Sequence, residues 1–295
     1  MFGVRWIERQ VTVNITTSSQ ASSRASSKVT AIFSHENLKV YPKALLFAQF
    51  AHAHTLAWDS MHAIADHLPR AADSVVENIA TASASFFATK QTSLDVSLGS
   101  ALECAACLDI AQVKHLTSRQ DAGVQKTELL SIYRMLIGLR RSWSESVVRE
   151  AGVAYGNDGH ELTGSDGRLN SDGPDAEKAD AFSHERLDVY RLALETMAWF
   201  NQIAQANHLN TGEFRKLDNL LTSVVLNIAE GNGRFSASDH RRFVGIAHTS
   251  AVKTAAHFDL CILNGSLKDD CMHSGKRLLA RISKMTIAMI SKLDQ

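Results

Sequence analysis

Residues 33–41 read Phe-Ser-His-Glu-Asn-Leu-Lys-Val-Tyr, and residues 182–190 read Phe-Ser-His-Glu-Arg-Leu-Asp-Val-Tyr. The second stretch lies 149 positions after the first and differs from it at two of nine positions. The same spacing relates residues 74–80 to residues 223–229, which share Ser-Val-Val-x-Asn-Ile-Ala. With a slip of one residue, the similarity continues to Asp109 and Asp259. A period this long indicates a duplicated domain, whereas a solenoid has short repeats.

Apolar residues recur three or four positions apart over most of both copies, which is typical of amphipathic helices. In the second copy the four apolar stripes begin near Leu187, Phe214, Phe243 and Leu278. Four such helices with short connections favour an up-and-down four-helix bundle. The sequence therefore predicts an all-α protein, with two tandem up-and-down four-helix bundles joined by a flexible linker.

The predicted boundaries follow the composition. Residues 1–30 are rich in Ser and Thr and are expected to form a disordered tail, although a transit peptide has a similar composition. Residues 31–149 form the first, divergent bundle, and residues 181–295 the second. Between them, residues 150–180 are dense in Gly, Asp, Ser and Asn, which favours a flexible acidic linker. A calcium loop is the alternative, but the EF-hand spacing is absent.

Several helix ends carry local signals. Asp59 is expected to cap the second helix of the first copy, and Thr211 the second helix of the second copy. Ser236 is placed to cap the third helix of the second copy. The glycines of Glu230-Gly-Asn-Gly233 are expected to end the preceding helix in left-handed geometry.

The formal net charge of the 295 residues is zero, so the chain as a whole has no general attraction to phosphate or to anionic lipid. No continuous apolar run is long enough to predict a membrane span, and a cytoplasmic location is expected. Cys104-Ala-Ala-Cys107 has the spacing of redox and metal sites, but it lies in an apolar helical run. Buried thiols are the interpretation we favour, with a metal or redox site as the alternative.

A family resemblance rests on three motifs of the second copy. These are Phe-x-x-Leu-x-Val-Tyr, then Ser-Val-Val-Leu-Asn-Ile-Ala-Glu-Gly-Asn-Gly-Arg ending at Arg234, then Arg242-Phe243 before a Thr-Ser-Ala stretch. The chain resembles the four-helix-bundle proteins encoded in ribosomal-RNA intervening sequences, a family that includes the accessory variability determinant of diversity-generating retroelements. The second copy carries the pattern almost throughout. The first copy departs from it after Ala80, where Glu-Gly-x-Gly-Arg should follow.

The resemblance implies a four-helix bundle that self-associates, typically into a five-membered barrel, with no known catalytic activity. It also implies that one branch of the family binds nucleic acid and a reverse transcriptase through a basic surface. We therefore expect self-association, between the tandem bundles or as a homo-oligomer. RNA, DNA or a reverse transcriptase is a further expected partner.

Seven residues of the shared motifs are interpreted as structural. The Ser and Asn positions lie four apart on one helix face, where a buried Asn needs hydrogen-bond partners. Ligand binding is the alternative for them, and a contact at the bundle tip is the alternative for the glycine turn. These residues are Ser74, Asn78, Ser223, Asn227, Glu230, Gly231 and Gly233.

Basic residues of the second copy are the candidate contacts for nucleic acid or for a partner protein, because phosphate contacts require little more than clustered positive charge. They are Arg234, His240, Arg241, Arg242, Lys276, Arg277, Arg281 and Lys284. No catalytic, cofactor-binding or metal-binding residue set is predicted.

The predicted function is a non-catalytic helical assembly module. It is either an accessory protein that binds nucleic acid or a ribonucleoprotein, or a protein–protein interaction scaffold without nucleic-acid contact. Because the first copy lacks the Gly-Arg corner, we also hypothesise that the second copy keeps the ancestral contact tip and that the first serves as its packing partner.

Overall fold

The computed structural model describes residues 31–154, 181–207 and 209–293. The predicted tail, residues 1–30, lies outside the described residues. So does the predicted linker from residue 155 onward.

The first copy is a bundle of four helices. A short 3-10 turn at Ser34–Asn37 precedes α1 (Val40–Thr55), α2 (Ile64–Ala84), α3 (Phe87–Val113) and α4 (Arg119–Ala154). Each helix packs against the next, and α1 also packs against α4, which closes the bundle.

The second copy repeats this plan. A 3-10 turn at Ser183–Arg186 leads into α5 (Asp188–Ala206), α6 (Thr211–Asn232), α7 (Ala237–Leu263) and α8 (Asp269–Leu293). Successive helices again pack together, and α5 packs against α8. The described part of the chain contains no strand. The predicted fold class, two tandem four-helix bundles, is confirmed.

Of the two caps predicted in the second copy, Ser236 is confirmed and Thr211 is wrong by one residue. Ser236 caps α7 by accepting a hydrogen bond from the Asp239 amide at 3.4 Å. α6 is capped by Asn210 and not by the predicted Thr211, because the Asn210 side chain accepts from the Glu213 amide at 3.0 Å.

The predicted Asp59 cap is wrong. α2 begins five residues later, at Ile64, and Asp59 instead accepts a hydrogen bond from the Met61 amide within the preceding turn. The backbone N–H of Ala63, at the amino end of α2, donates to Asp218 of the second bundle at 2.8 Å. A carboxylate is favourable at the positive end of a helix, so α2 is capped by a residue of the other copy.

Helix α3 lies at the centre of the molecule. It packs within its own bundle and also against α5 and α6 of the second copy. Burial on both sides explains why α3 is apolar around most of its circumference. Among the described residues it is the one helix, over Thr89–Val113, with the length and composition to cross a membrane. However, 72% of its most apolar window is buried inside the protein, as in a core helix.

Candidate interface between the two bundles

The two bundles meet through different surfaces. The first copy contributes the outer faces of α3 and α4, and the second contributes the Ser183–Arg186 turn, α5 and α6. The packed apolar residues of both copies form one continuous core. The contact is therefore heterologous, since each copy uses a surface that the other does not.

A buried ion pair lies at one end of this interface. The Lys114 ammonium donates to the Asp218 carboxylate, and their side chains are 1% and 0% exposed. The second carboxylate oxygen of Asp218 accepts the Ala63 amide described above. Burial lowers the pKa of Lys114, and the attraction of Asp218 opposes that shift. A buried charge is tolerated only when it is paired in this way.

A second polar cluster lies further along the same interface. The Lys126 ammonium bonds Asp109 of its own bundle at 2.6 Å and Glu185 of the other at 2.7 Å. The hydroxyl of Tyr190 donates to the other oxygen of Asp109 at 2.9 Å. Burial lowers the pKa of Lys126, but the two carboxylates outweigh it, and the net pKa is raised. Lys126 therefore keeps its charge and links the two copies.

Aromatic rings complete this part of the interface. Phe182 stacks on His184 with ring centroids 5.7 Å apart, and His184 meets Tyr190 edge to face at 4.7 Å. Tyr133 of the first bundle meets Phe182 edge to face at 5.7 Å. The His184 ring is fully buried and neither nitrogen has a hydrogen-bond partner among the described residues. Burial, reinforced by the nearby Lys126 charge, lowers the pKa of His184 to about 3, so its ring is neutral.

The glycines of the family motif are required by close packing. Gly233 has a φ of −91°, so the predicted left-handed helix exit is wrong. A Cβ at Gly233 would instead overlap the Leu102 side chain of the first bundle. A Cβ at Gly231 would lie 2.9 Å from the Cβ of Phe243. Both positions need glycine because a neighbouring helix approaches the backbone there.

Arg234 also faces the first bundle. Its side chain pairs with Glu230, lies over the Phe243 ring at 4.5 Å and is 12% exposed. A Cβ built on Gly99 of α3 would lie 2.9 Å from the Arg234 guanidinium. Burial raises the pKa of Glu230, and Arg234 opposes that shift. Arg234 is thus enclosed between the bundles, away from the surface that a nucleic acid could reach.

The Ser and Asn positions that the two copies share act within each bundle. Asn78 donates to the Ser74 carbonyl at 2.8 Å, and the Ser74 hydroxyl meets Ser100 of α3 at 2.8 Å. In the second copy Asn227 donates to the Ser223 carbonyl at 2.7 Å, and the hydroxyls of Ser223 and Ser250 are 2.9 Å apart. The same network therefore ties the second helix to the third in both copies.

The remaining basic candidates lie on α7 and α8. His240 is buried, and burial lowers its pKa. Arg241 and Arg242 are exposed beside a shallow depression that Gly245 and Leu293 also line. Lys276 pairs with Asp259, a half-exposed contact.

Four exposed basic residues lie along one face of α8, at the helical spacing that brings side chains together. They are Arg277, Arg281, Lys284 and Lys292. From residue 271 to 293 this helix contains no acidic residue.

One group of side chains at the interface has the composition of a metal site. Ligand atoms of Asp109, His184 and Glu185 lie within 4.8 Å of one another. The Lys126 ammonium already bonds both carboxylates, so the positive charge that this group requires is supplied by the protein. The cluster fits an ion-pair network better than it fits a metal centre.

The thiols of the Cys-Ala-Ala-Cys motif are enclosed in the core. Cys104 and Cys107 are both fully buried and unpaired. Burial raises the pKa of each thiol well above its ordinary value, which keeps it protonated and unreactive.

The sequence interpretation missed most of the interface. Asp109, Lys126, Glu185 and Tyr190 each have an identical residue at the equivalent position of the other copy. Such repetition of polar residues was the signal that could have found them. Lys114 and Asp218 are not repeated at the equivalent positions of the other copy, and neither residue stands in a sequence motif.

The comparisons with known proteins agree with the resemblance. A family model described as 23S rRNA-intervening sequence protein matches residues 36–138 and, separately, residues 185–288. No curated protein and no solved structure gives a match. The two matched segments cover most of the chain and correspond to the two bundles. The protein belongs to the 23S rRNA-intervening sequence protein family and carries the family domain twice.

Proposed function

We propose that this protein is a non-catalytic assembly protein whose two family domains form one directional pair. The observation that supports this most strongly is the fully buried Lys114–Asp218 ion pair between the bundles. Each of these buried charges is tolerated only while its partner is present, because an unpaired buried charge is strongly unfavourable. The pair therefore fits a contact that persists. The buried lysines and carboxylates of the interface are paired with one another across helices, which fits a structural role.

The test cuts the polypeptide between the two bundles and asks whether their non-covalent contact holds the halves together. A protease site is inserted between residues 160 and 170, and the cleaved protein is passed through gel filtration. We expect the two halves to elute together, and we expect an Asp218→Arg substitution to separate them. Separation of the wild-type halves at micromolar concentration would contradict the proposal.

A second candidate function is nucleic-acid binding, as an accessory protein of a ribonucleoprotein. It is supported by the four basic residues on one face of α8 and by the family's link to ribosomal RNA. In the first copy the equivalents of Arg277, Arg281 and Lys292 are polar and uncharged, so this face is particular to the second copy. The proposal places the protein in the cytoplasm, where unpaired buried cysteines are usual.

The second candidate is tested by titrating the protein onto RNA and DNA over a range of salt concentrations. Arg281→Gln with Lys284→Gln should weaken binding and reduce the slope of log affinity against log salt by about two. Arg215→Gln with Lys216→Gln removes the same charge from an exposed part of α6 and is the matched control. If both pairs of substitutions act equally, the basic face has no special role.

A further inference from the structure

The contact between the bundles joins one surface of the first copy to a different surface of the second. We call the outer side of the third and fourth helices of a copy its surface A, and the 3-10 turn with the first two helices its surface B. In the structure, surface A of the first copy packs against surface B of the second. Because each copy has both surfaces, two like copies from different chains could also be brought together in this way. Residues that differ between the copies must decide between a like pair and the unlike pair.

The polar cluster that the copies share cannot make this choice. It uses two residues of surface A and two of surface B, and each is identical in the other copy. These residues are Asp109, Lys126, Glu185 and Tyr190, with Asp259, Lys276, Glu36 and Tyr41 as their equivalents. The residues needed for this cluster would therefore be present in a like pair as well as in the unlike pair.

The buried ion pair is the clearest difference between the copies. Surface A carries Lys114 in the first copy and Asn264 in the second, whereas surface B carries Asp218 in the second copy and Pro69 in the first. In the unlike pair the ammonium and the carboxylate face each other, 1% and 0% exposed. A pair of first copies would bury the ammonium against a proline, and a pair of second copies would bury the carboxylate against an amide. Each like pair leaves one buried charge without its counter-ion, which is strongly unfavourable.

A second difference opposes the pair of second copies. Arg234 of surface B packs against Gly99 of the first copy, where a Cβ would lie 2.9 Å from the guanidinium. The second copy has Thr249 at the position of Gly99. A pair of second copies would therefore bring a threonine side chain into the space of Arg234, which Glu230 and Phe243 hold in place.

A third difference opposes the pair of first copies. Leu102 of surface A lies against Gly233 of the second copy, where a Cβ would overlap the leucine side chain. Surface B of the first copy has Ala84 at that position, so a pair of first copies would meet this overlap. Each kind of like pair is thus opposed by one unpaired charge and one steric conflict, and the unlike pair has neither.

We propose that these complementary differences make the contact selective for the unlike copy, with Lys114, Asp218 and Arg234 as specificity-determining residues. Surface A of the first copy accepts the second copy and rejects another first copy. Selectivity of this kind comes from disfavouring the wrong partner as well as from fitting the right one. The inference rests on the proposed directional pair and identifies the residues that fix its order.

The test transfers the selecting residues of surface A to the second copy. Thr249→Gly, Val252→Leu and Asn264→Lys are made together in the full-length protein that carries the protease site. All three positions are exposed, so the changes leave the core intact. After cleavage, each second half meets two surfaces that fit it equally, and about half of its contacts should be with another second half. In the wild type, the unpaired buried charge should make such like pairs about 100-fold rarer.

Native mass spectrometry of the cleaved protein counts the halves in each complex. We expect complexes of two second halves without a first half from the triple variant and none from the wild type. His273→Gly with Ser274→Val is the matched control and should behave as the wild type. It also transfers first-copy residues, but the equivalents Gly123 and Val124 stay exposed when the bundles are in contact.

Two outcomes overturn the proposal. One is a wild type whose halves form like pairs as readily as unlike pairs, and the other is a triple variant that forms no pair of second halves. Either result leaves the proposed assembly function intact as long as the wild-type halves elute together. Separation of the wild-type halves would instead remove the assembly function, and this inference with it.

Discussion

Substituting Asp218 with Asn should destabilise the protein by about 3–5 kcal/mol, the range seen when one partner of a buried pair is removed. The amide keeps the shape of the side chain, and its oxygen can still accept the Ala63 N–H. What is lost is the negative charge beside the Lys114 ammonium, which is 1% exposed.

An independent limit gives the same size of effect. Lys114 can escape its unpaired charge by releasing its proton. At pH 7 this costs about 5 kcal/mol, because an ordinary lysine titrates more than three pH units higher and each unit is worth about 1.4 kcal/mol. The loss of stability should therefore not exceed that value.

The assay is urea unfolding followed by circular dichroism, with the free energy of unfolding taken by linear extrapolation. Asp259→Asn is the matched control, because its carboxylate pairs with Lys276 on the surface and should be worth less than about 1 kcal/mol. The double variant Lys114→Met with Asp218→Asn should recover most of the stability, since it removes both charges together and keeps an acceptor for the Ala63 N–H.

The variant also has a pH signature. In Asp218→Asn the folded-state pKa of Lys114 falls further below that of the unfolded chain. The unfolded state then binds more protons, so stability rises with pH. The deficit relative to wild type should be smaller at pH 9 than at pH 7. Equal losses for Asp218→Asn and Asp259→Asn would refute the reasoning.

Three further predictions concern single residues. Gly233→Ala, which restores the alanine of the first copy, should cost about 1–3 kcal/mol by forcing Leu102 aside, whereas Gly245→Ala, with open space around it, should be neutral or stabilising; urea unfolding compares them. Burial holds the pKa of His184 at about 3, so the ring stays neutral in the folded protein. Below about pH 6.5 the ring becomes protonated only in the unfolded chain, and the free energy of unfolding therefore falls as the pH falls. Between pH 7 and pH 5 the wild type should lose about 2 kcal/mol more than His184→Phe. His115 has a φ of 58°, where Gly265 stands in the second copy, so His115→Gly should raise the free energy of unfolding by about 1 kcal/mol; an unchanged melting temperature would contradict this.

The fold could be predicted because its signals are local or repeated. Helical spacing identifies each helix, and the duplicated motifs identify the two copies. The family motif around Gly231 and Gly233 was recognised, but its physical reason was misread. The predicted left-handed turn would explain the two glycines from local backbone geometry alone. The structure shows instead that they are needed because Phe243 and Leu102 approach the backbone closely.

The interface could be predicted only in part, because it depends on residues far apart in sequence. Lys114 and Asp218 are 104 positions apart and neither stands in a motif. The prediction that Asp59 caps α2 was wrong for the same reason, since the carboxylate that accepts the N–H at the start of α2 belongs to the other bundle. Arg234 is a candidate contact because of its charge, but its side chain already pairs with Glu230, lies over Phe243 and packs against Gly99.

The directional contact inside one polypeptide has an arithmetic consequence. A closed ring of intact chains contains an even number of family domains, and covalent and non-covalent junctions alternate around it. A five-membered ring, the assembly that the family resemblance implies, cannot be completed by whole molecules of this protein without leaving one domain outside. Fusion of the two domains therefore fixes the number of domains in any closed assembly of whole chains as even.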